Sequence, residues 1–104
     1  MTRIPTNRPP IHPREILLED FLKPAKITQI ELAKVIGMSA RSVNRIVNGR
    51  RGVTPSTALR LARFFGTTSD VWLNLQLRVD LSDAMEKERR ALARIQPLRA
   101  AGSR

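Results

Sequence analysis

Apolar residues along this chain recur in steps of three and four, and no stretch alternates strictly between apolar and polar. That period belongs to helices packed on one face, not to strands. Ile16, Leu17, Phe21 and Leu22 form the first stripe, opened by His12 and Pro13. Proline suits the first helical position, Glu15 falls where a capping carboxylate sits, and Pro24 is expected to end the helix. Thr28 and Glu31 have capping-box spacing and start a second helix. Ser39 caps a third, which runs to about Asn48 and stops at Gly49. Thr54 and Pro55 open a fourth, whose stripe is Ala58, Leu59, Leu61, Ala62 and Phe65, and Gly66 terminates it. Ser69, followed by Asp70, is expected to cap a fifth.

The predicted fold is therefore all-α, with five helices and an additional C-terminal helix over residues 82–95. That last segment places Met85, Leu92 and Ile95 on one side, and Glu86 with Arg90 is spaced for a weak i,i+4 pair. Residues 1–12, with Pro5, Pro9, Pro10, Arg3 and Arg8, are expected to be an extended arm. Residues 13–81 form the folded unit, and 82–104 a C-terminal helix with a frayed tail.

The fifth helix carries more apolar surface than one docking face needs. Trp72, Leu75 and Val79 make one stripe, and Leu73, Leu77 and Leu81 make another. A single stripe suffices to dock a helix on a monomeric core. The surplus points to a second subunit, with Trp72, Leu75 and Val79 assigned to the dimer interface. The alternative is that the core and a folded-back tail absorb both stripes.

Gln29–Asn48 is the most informative segment. Two short helices flank Gly37, a position that wants the left-handed backbone glycine adopts freely. Ala33 is small where the helices cross. Val43 and Ile46 face Leu32, Ile36 and Met38, which leaves Ser39, Arg41, Ser42, Asn44, Arg45 and Asn48 pointing outward. This is helix-turn-helix spacing, the unit that places its second helix in the DNA major groove.

Charge sharpens that reading. Nineteen Lys and Arg against nine Asp and Glu give a net charge of +10, which favours a polyanionic partner. The basic residues also cluster. Ser39–Gly52 holds four arginines (Arg41, Arg45, Arg50, Arg51) and no acid, whereas residues 14–31 hold four acids. There is no cysteine and one histidine, so neither a disulfide, a metal site nor a catalytic triad can be assembled; no cofactor or enzymatic activity is expected. The N-terminus lacks the apolar stretch of a signal peptide, and no run is long enough to suggest a membrane span. A cytoplasmic location fits these features.

Position within the motif assigns the DNA-binding residues. Gln29 opens the first motif helix and approaches a phosphate with help from the amide dipole. Arg41 and Arg45 are suited to bidentate readout of guanine. Ala40 offers only a methyl, for example to thymine, and Asn44 reaches a base or a phosphate. Asn48, Arg50 and Arg51 follow the helix and grip the backbone. Ser39 is first of all a helix cap.

HPREILLEDFLKP, the helix-turn-helix, NGRRGVTPSTALRLARFFG and DVWLNLQLRVDL together resemble the HigA family of antitoxins, within the phage-repressor-like helix-turn-helix regulators. The resemblance covers about residues 8–81. It places Ser39, Ala40, Arg41 and Arg45 in the part of the recognition helix that enters the groove. One departure is Arg14, where the family usually has Gly. The resemblance implies neutralisation of a HigB-type, RelE-like mRNA-cleaving toxin and repression of the chain's own operon as a homodimer on operator DNA. Composition and periodicity bear only on DNA binding. A stand-alone repressor with no toxin is the alternative. An RNA-binding role, prompted by the charge, is weakened by the four aromatics, none placed as a stacking platform on a sheet.

Overall fold

The computed structural model describes residues 9–98. Among these residues there are six helices and no strand. Helix α1 spans residues 13–25, α2 Gln29–Ile36, α3 Ala40–Val47, α4 Pro55–Phe65, α5 Ser69–Lys87 and α6 Arg89–Ala93. The expected arm and frayed tail fall mostly outside the described residues; the short visible part of the arm, residues 9–12, is non-helical.

Helix α1 departs from expectation at both ends. Its N-terminus is capped by His12, whose Nδ1 accepts from the Arg14 amide at 3.2 Å, not by the Glu15 carboxylate. Pro24 does not end it. The middle of the helix, Ile16–Leu22, is π-helical, and the Lys23 amide bonds back five residues to the Leu18 carbonyl. The wider turn offsets the carbonyl that a proline ring meets in an α-helix, so the chain continues through Pro24 to Ala25. Lys26 then closes the helix in the left-handed region (φ 57°), with Ile27 N–H bonded to the Leu22 carbonyl at 3.0 Å.

The remaining starts and stops follow local chemistry. The Thr28–Glu31 capping box is complete, with both hydrogen bonds formed. Ser39 accepts from Ser42 N–H at 3.0 Å, and Thr54 from Thr57 N–H at 3.3 Å. Helix α5 begins one residue earlier than Ser69 would allow as a cap. Thr68 holds the N-cap position and no side chain caps it.

One core unites α1 to α5. Leu17, Leu22, Leu32, Ala33, Ile36, Val43, Ile46, Val47, Val53, Ala58, Leu61 and Trp72 are all buried. Full burial of each large aliphatic side chain contributes about 1.5–3 kcal/mol. Phe21 packs against Phe65 and Trp72, with ring centroids 4.6 and 5.4 Å away. Leu59, expected in the α4 stripe, is 62% exposed, and Thr57 takes a core position instead.

Helix α5 splits into two parts. Trp72 is fully buried (0% exposed), and its indole N–H donates to Thr67 Oγ1 at 2.9 Å. Leu75 and Val79 are half-buried, and Leu75 packs on the core. These observations correct the assignment of Trp72 to a subunit interface: it belongs to the core of the single chain. From Asp80 onward every described residue is exposed, and the helix passes through the expected boundary at 81/82 without a break. Glu86 pairs with Arg89 at 2.6 Å, one residue short of the expected Arg90.

Candidate nucleic-acid interface

The site is built on the corner between α2 and α3. Gly37 closes α2 at φ 71°, and the Met38 amide bonds back to the Ala33 carbonyl at 2.9 Å. Arg60, from α4, clamps the same corner through Nη1, 2.7 Å from the Ile36 carbonyl and 3.2 Å from that of Gly37. A cation at the carbonyl end of a helix is electrostatically favourable, so α4 fixes the angle at which α3 leaves. A methyl group at Gly37 would lie 2.9 Å from that guanidinium. Glycine is favoured there by its φ, and a Cβ would also press on the guanidinium that clamps the corner.

Helix α3 has two sharply different faces. Val43, Ile46 and Val47 are buried, whereas Ala40, Arg41, Asn44, Arg45 and Asn48 are exposed. Two side-chain networks order the outer face. Asn44 Nδ2 donates to Gln29 Oε1 at 3.1 Å, while its Oδ1 accepts from Asn48 Nδ2 at 3.1 Å. Ser39 Oγ is 2.9 Å from Ser42 Oγ, which accepts from Arg51 Nη1 at 2.8 Å. Thr28, Gln29, Ile30, Ala40, Arg41 and Asn44 line a shallow depression between the N-termini of α2 and α3.

Among the described residues the ion pairs are Lys23–Glu19 and Arg89–Glu86. Among the described residues Arg41, Arg45, Arg50 and Arg51 form no ion pair, although Asp80 and Asp83 line a cleft with Arg50 and Arg51. The loop behind them is anchored from α5, where Gln76 Oε1 accepts from the Val53 amide at 2.9 Å. His12 lies in a neighbouring cleft lined also by Gly49, Arg50, Arg51, Asp80 and Asp83. Burial of its ring, with Arg14 nearby, holds the imidazole below its usual range; Glu15, Asp83 and Asp80 pull the other way. Among the described residues no cluster of acidic or histidine side chains could hold a metal ion.

The helix-turn-helix family profile matches residues 18–73. Virulence-associated protein I of Dichelobacter nodosus is 44% identical over 90 residues, covering 86% of this chain and 82% of that protein. Antitoxin HigA-1 of Vibrio cholerae is 36% identical over 94 residues, covering 89% and 88%. The chain belongs to the HigA family. A Pseudomonas aeruginosa HigA solved with the higBA promoter matches the fold at a TM-score of 0.81 and 39% identity, over 86% of this chain and 98% of that one.

On this HigA fold, the residues expected from the sequence form one continuous surface. Gln29 opens α2, Ala40, Arg41, Asn44 and Arg45 stand on the outer face of α3, and Asn48, Arg50 and Arg51 follow its end. Ser39 acts as the cap it was expected to be. Three supporting roles escaped the sequence reading, although Ser42 itself was placed on the outward face. Ser42 holds Arg51, Arg60 clamps the corner and Gln76 ties down the loop. The last two act over more than twenty residues of chain separation, beyond any local pattern. Ser42 had a local signal, since it stands three residues after Ser39 at cap spacing.

Proposed function

We propose that this chain is an antitoxin that binds the operator of its own operon as a dimer and neutralises a HigB-type, RelE-like mRNA-cleaving toxin. The observation that carries DNA binding is the outer face of α3: an ordered, exposed surface whose arginines form no ion pair among the described residues. Arg41 and Arg45 read base edges in the major groove, each bidentate contact discriminating by about 1–3 kcal/mol. Ala40 contributes a methyl contact. Gln29 meets a phosphate at the N-terminus of α2, oriented by Asn44, which Asn48 holds in turn. Asn48, Arg50 and Arg51 bind the phosphate backbone, with Arg51 aimed by Ser42.

The dimer reading now rests on the outer stripe of α5. Leu77 and Leu81 are each 53% exposed and Met85 is 63% exposed. Contiguous apolar surface of that kind on a short basic chain marks a protein partner. A two-fold pair would present two recognition helices to half-sites one helical turn apart. Toxin neutralisation is supported by family membership alone, and the promoter-bound HigA relative supports operator binding.

Two measurements test this reading. The purified chain should bind a duplex from its own upstream region more tightly than a random duplex of equal length. Co-expression with the adjacent reading frame should relieve growth arrest and yield a stable complex of the two proteins. Operator binding without rescue would leave a stand-alone repressor, and absence of both would overturn the proposal.

A further inference from the structure

We infer that Arg14 is an additional DNA-backbone contact, contributed by α1 to the phosphate-binding edge formed by Arg50 and Arg51; this rests on the DNA-binding reading above. Arg14 is the second residue of α1 and is exposed. Its side chain crosses the glycine that ends the recognition helix: a methyl group at Gly49 would lie 3.0 Å from Arg14 Nε and 3.1 Å from its Cδ. Gly49 joins Asn48 to Arg50 and Arg51, so the guanidinium lies at the carboxyl end of α3, where the chain turns into the cationic loop.

The carboxyl end of α3 favours a cation, but α1 does not. A cation in the first turn of a helix opposes the positive end of the helix dipole. It also stands beside His12, whose charged form it disfavours. The acids nearest this region are its neighbour Glu15 and, across the His12 cleft, Asp80 and Asp83. Among the described residues Arg14 forms an ion pair with none of them. What remains is an unneutralised guanidinium held over the edge that faces a phosphate backbone. Phosphate rewards such a charge irrespective of sequence.

The test is a salt titration of the full chain and of Arg14→Gln and Arg14→Lys on operator and random duplexes. Arg14→Gln should make the slope of log affinity against log salt shallower by about 0.9 on both duplexes. Between 50 and 200 mM salt its affinity should therefore fall about 3.5-fold less than that of the parent. The operator-to-random ratio should not change, and Arg14→Lys should keep the parental slope. Arg14→Gln removes a charge that α1 opposes and the end of α3 favours, so its melting curve should stay close to the parent's. A parental slope in Arg14→Gln overturns the inference, as does a changed operator preference or an Arg14→Lys variant that behaves like Arg14→Gln. A parent that binds neither duplex overturns the DNA-binding reading itself.

Discussion

Helices α3 and α5 solve opposite problems. Helix α3 is short, and its two faces are cleanly separated, with Val43, Ile46 and Val47 inside and polar or basic groups outside. Helix α5 is more than twice as long (19 residues against 8) and begins inside the core at Trp72. It then leaves the core and keeps an apolar stripe, Leu77, Leu81 and Met85, in the open. The exposed face of α3 offers charge and hydrogen bonds, which suits a polyanion. The exposed face of α5 offers hydrocarbon, which suits protein. The contrast shows that what a helix leaves outside, as much as what it buries, identifies its partner.

The contrast can be broken most forcefully at Trp72. If that residue serves the core of the single chain, Trp72→Ala should cost about 3–5 kcal/mol in chemical denaturation. Loss of self-association with unchanged stability would return the indole to a subunit interface. The outer stripe makes the complementary prediction. Leu77→Glu with Leu81→Glu should weaken self-association by roughly tenfold or more, while the melting temperature at low concentration stays near the parent's. Sedimentation of the variant as an unchanged dimer would show that this stripe is not the interface.

The two regions also meet, and two smaller effects probe their junction. Gln76→Ala removes the acceptor for the Val53 amide, and Val53 is itself buried. The orphaned donor should cost about 1–3 kcal/mol of stability. It should also weaken operator and random DNA alike, since the loop carrying Arg50 and Arg51 loses its anchor. The smallest effect is that of His12. Its neutral form is favoured in the folded chain, so its folded pKa lies below the ordinary value of 6.5. The stability this contributes is present above pH 6.5 and is lost as pH falls through the folded pKa. Protonation also fills Nδ1, the atom that caps α1. A melting-temperature series from pH 8 to 5 should therefore decline more in the parent than in His12→Asn, which keeps a capping side chain without the titration.

The sequence disclosed α3 and its neighbour far better than it disclosed α5. Caps at Thr28, Ser39 and Thr54, and glycine stops at 37, 49 and 66, are short-range chemistry that survives folding unchanged. Helix α1 was less legible. A proline normally stops a helix, and nothing local announces the π-helical turns that carry the chain through Pro24. In α5 two stripes of equal strength lie side by side, and periodicity alone cannot say which one a core will claim. Trp72 went inward because Phe65, from the preceding helix, and Phe21, from the distant first helix, wait there. Arg14 shows the same limit at the candidate site. The sequence marked it only as a departure from the resembled pattern, and only the packing of α1 on the end of α3 lays it over Gly49.

The central claim is that the outward arginines of α3 read DNA sequence. Comparing operator and random-duplex affinities for Arg41→Ala and Arg45→Ala tests it most directly. Each variant should lose about 1–3 kcal/mol of discrimination while keeping its helical content and most of its affinity for random DNA. If both variants preserve the parent's full preference for its operator, α3 does not read the sequence.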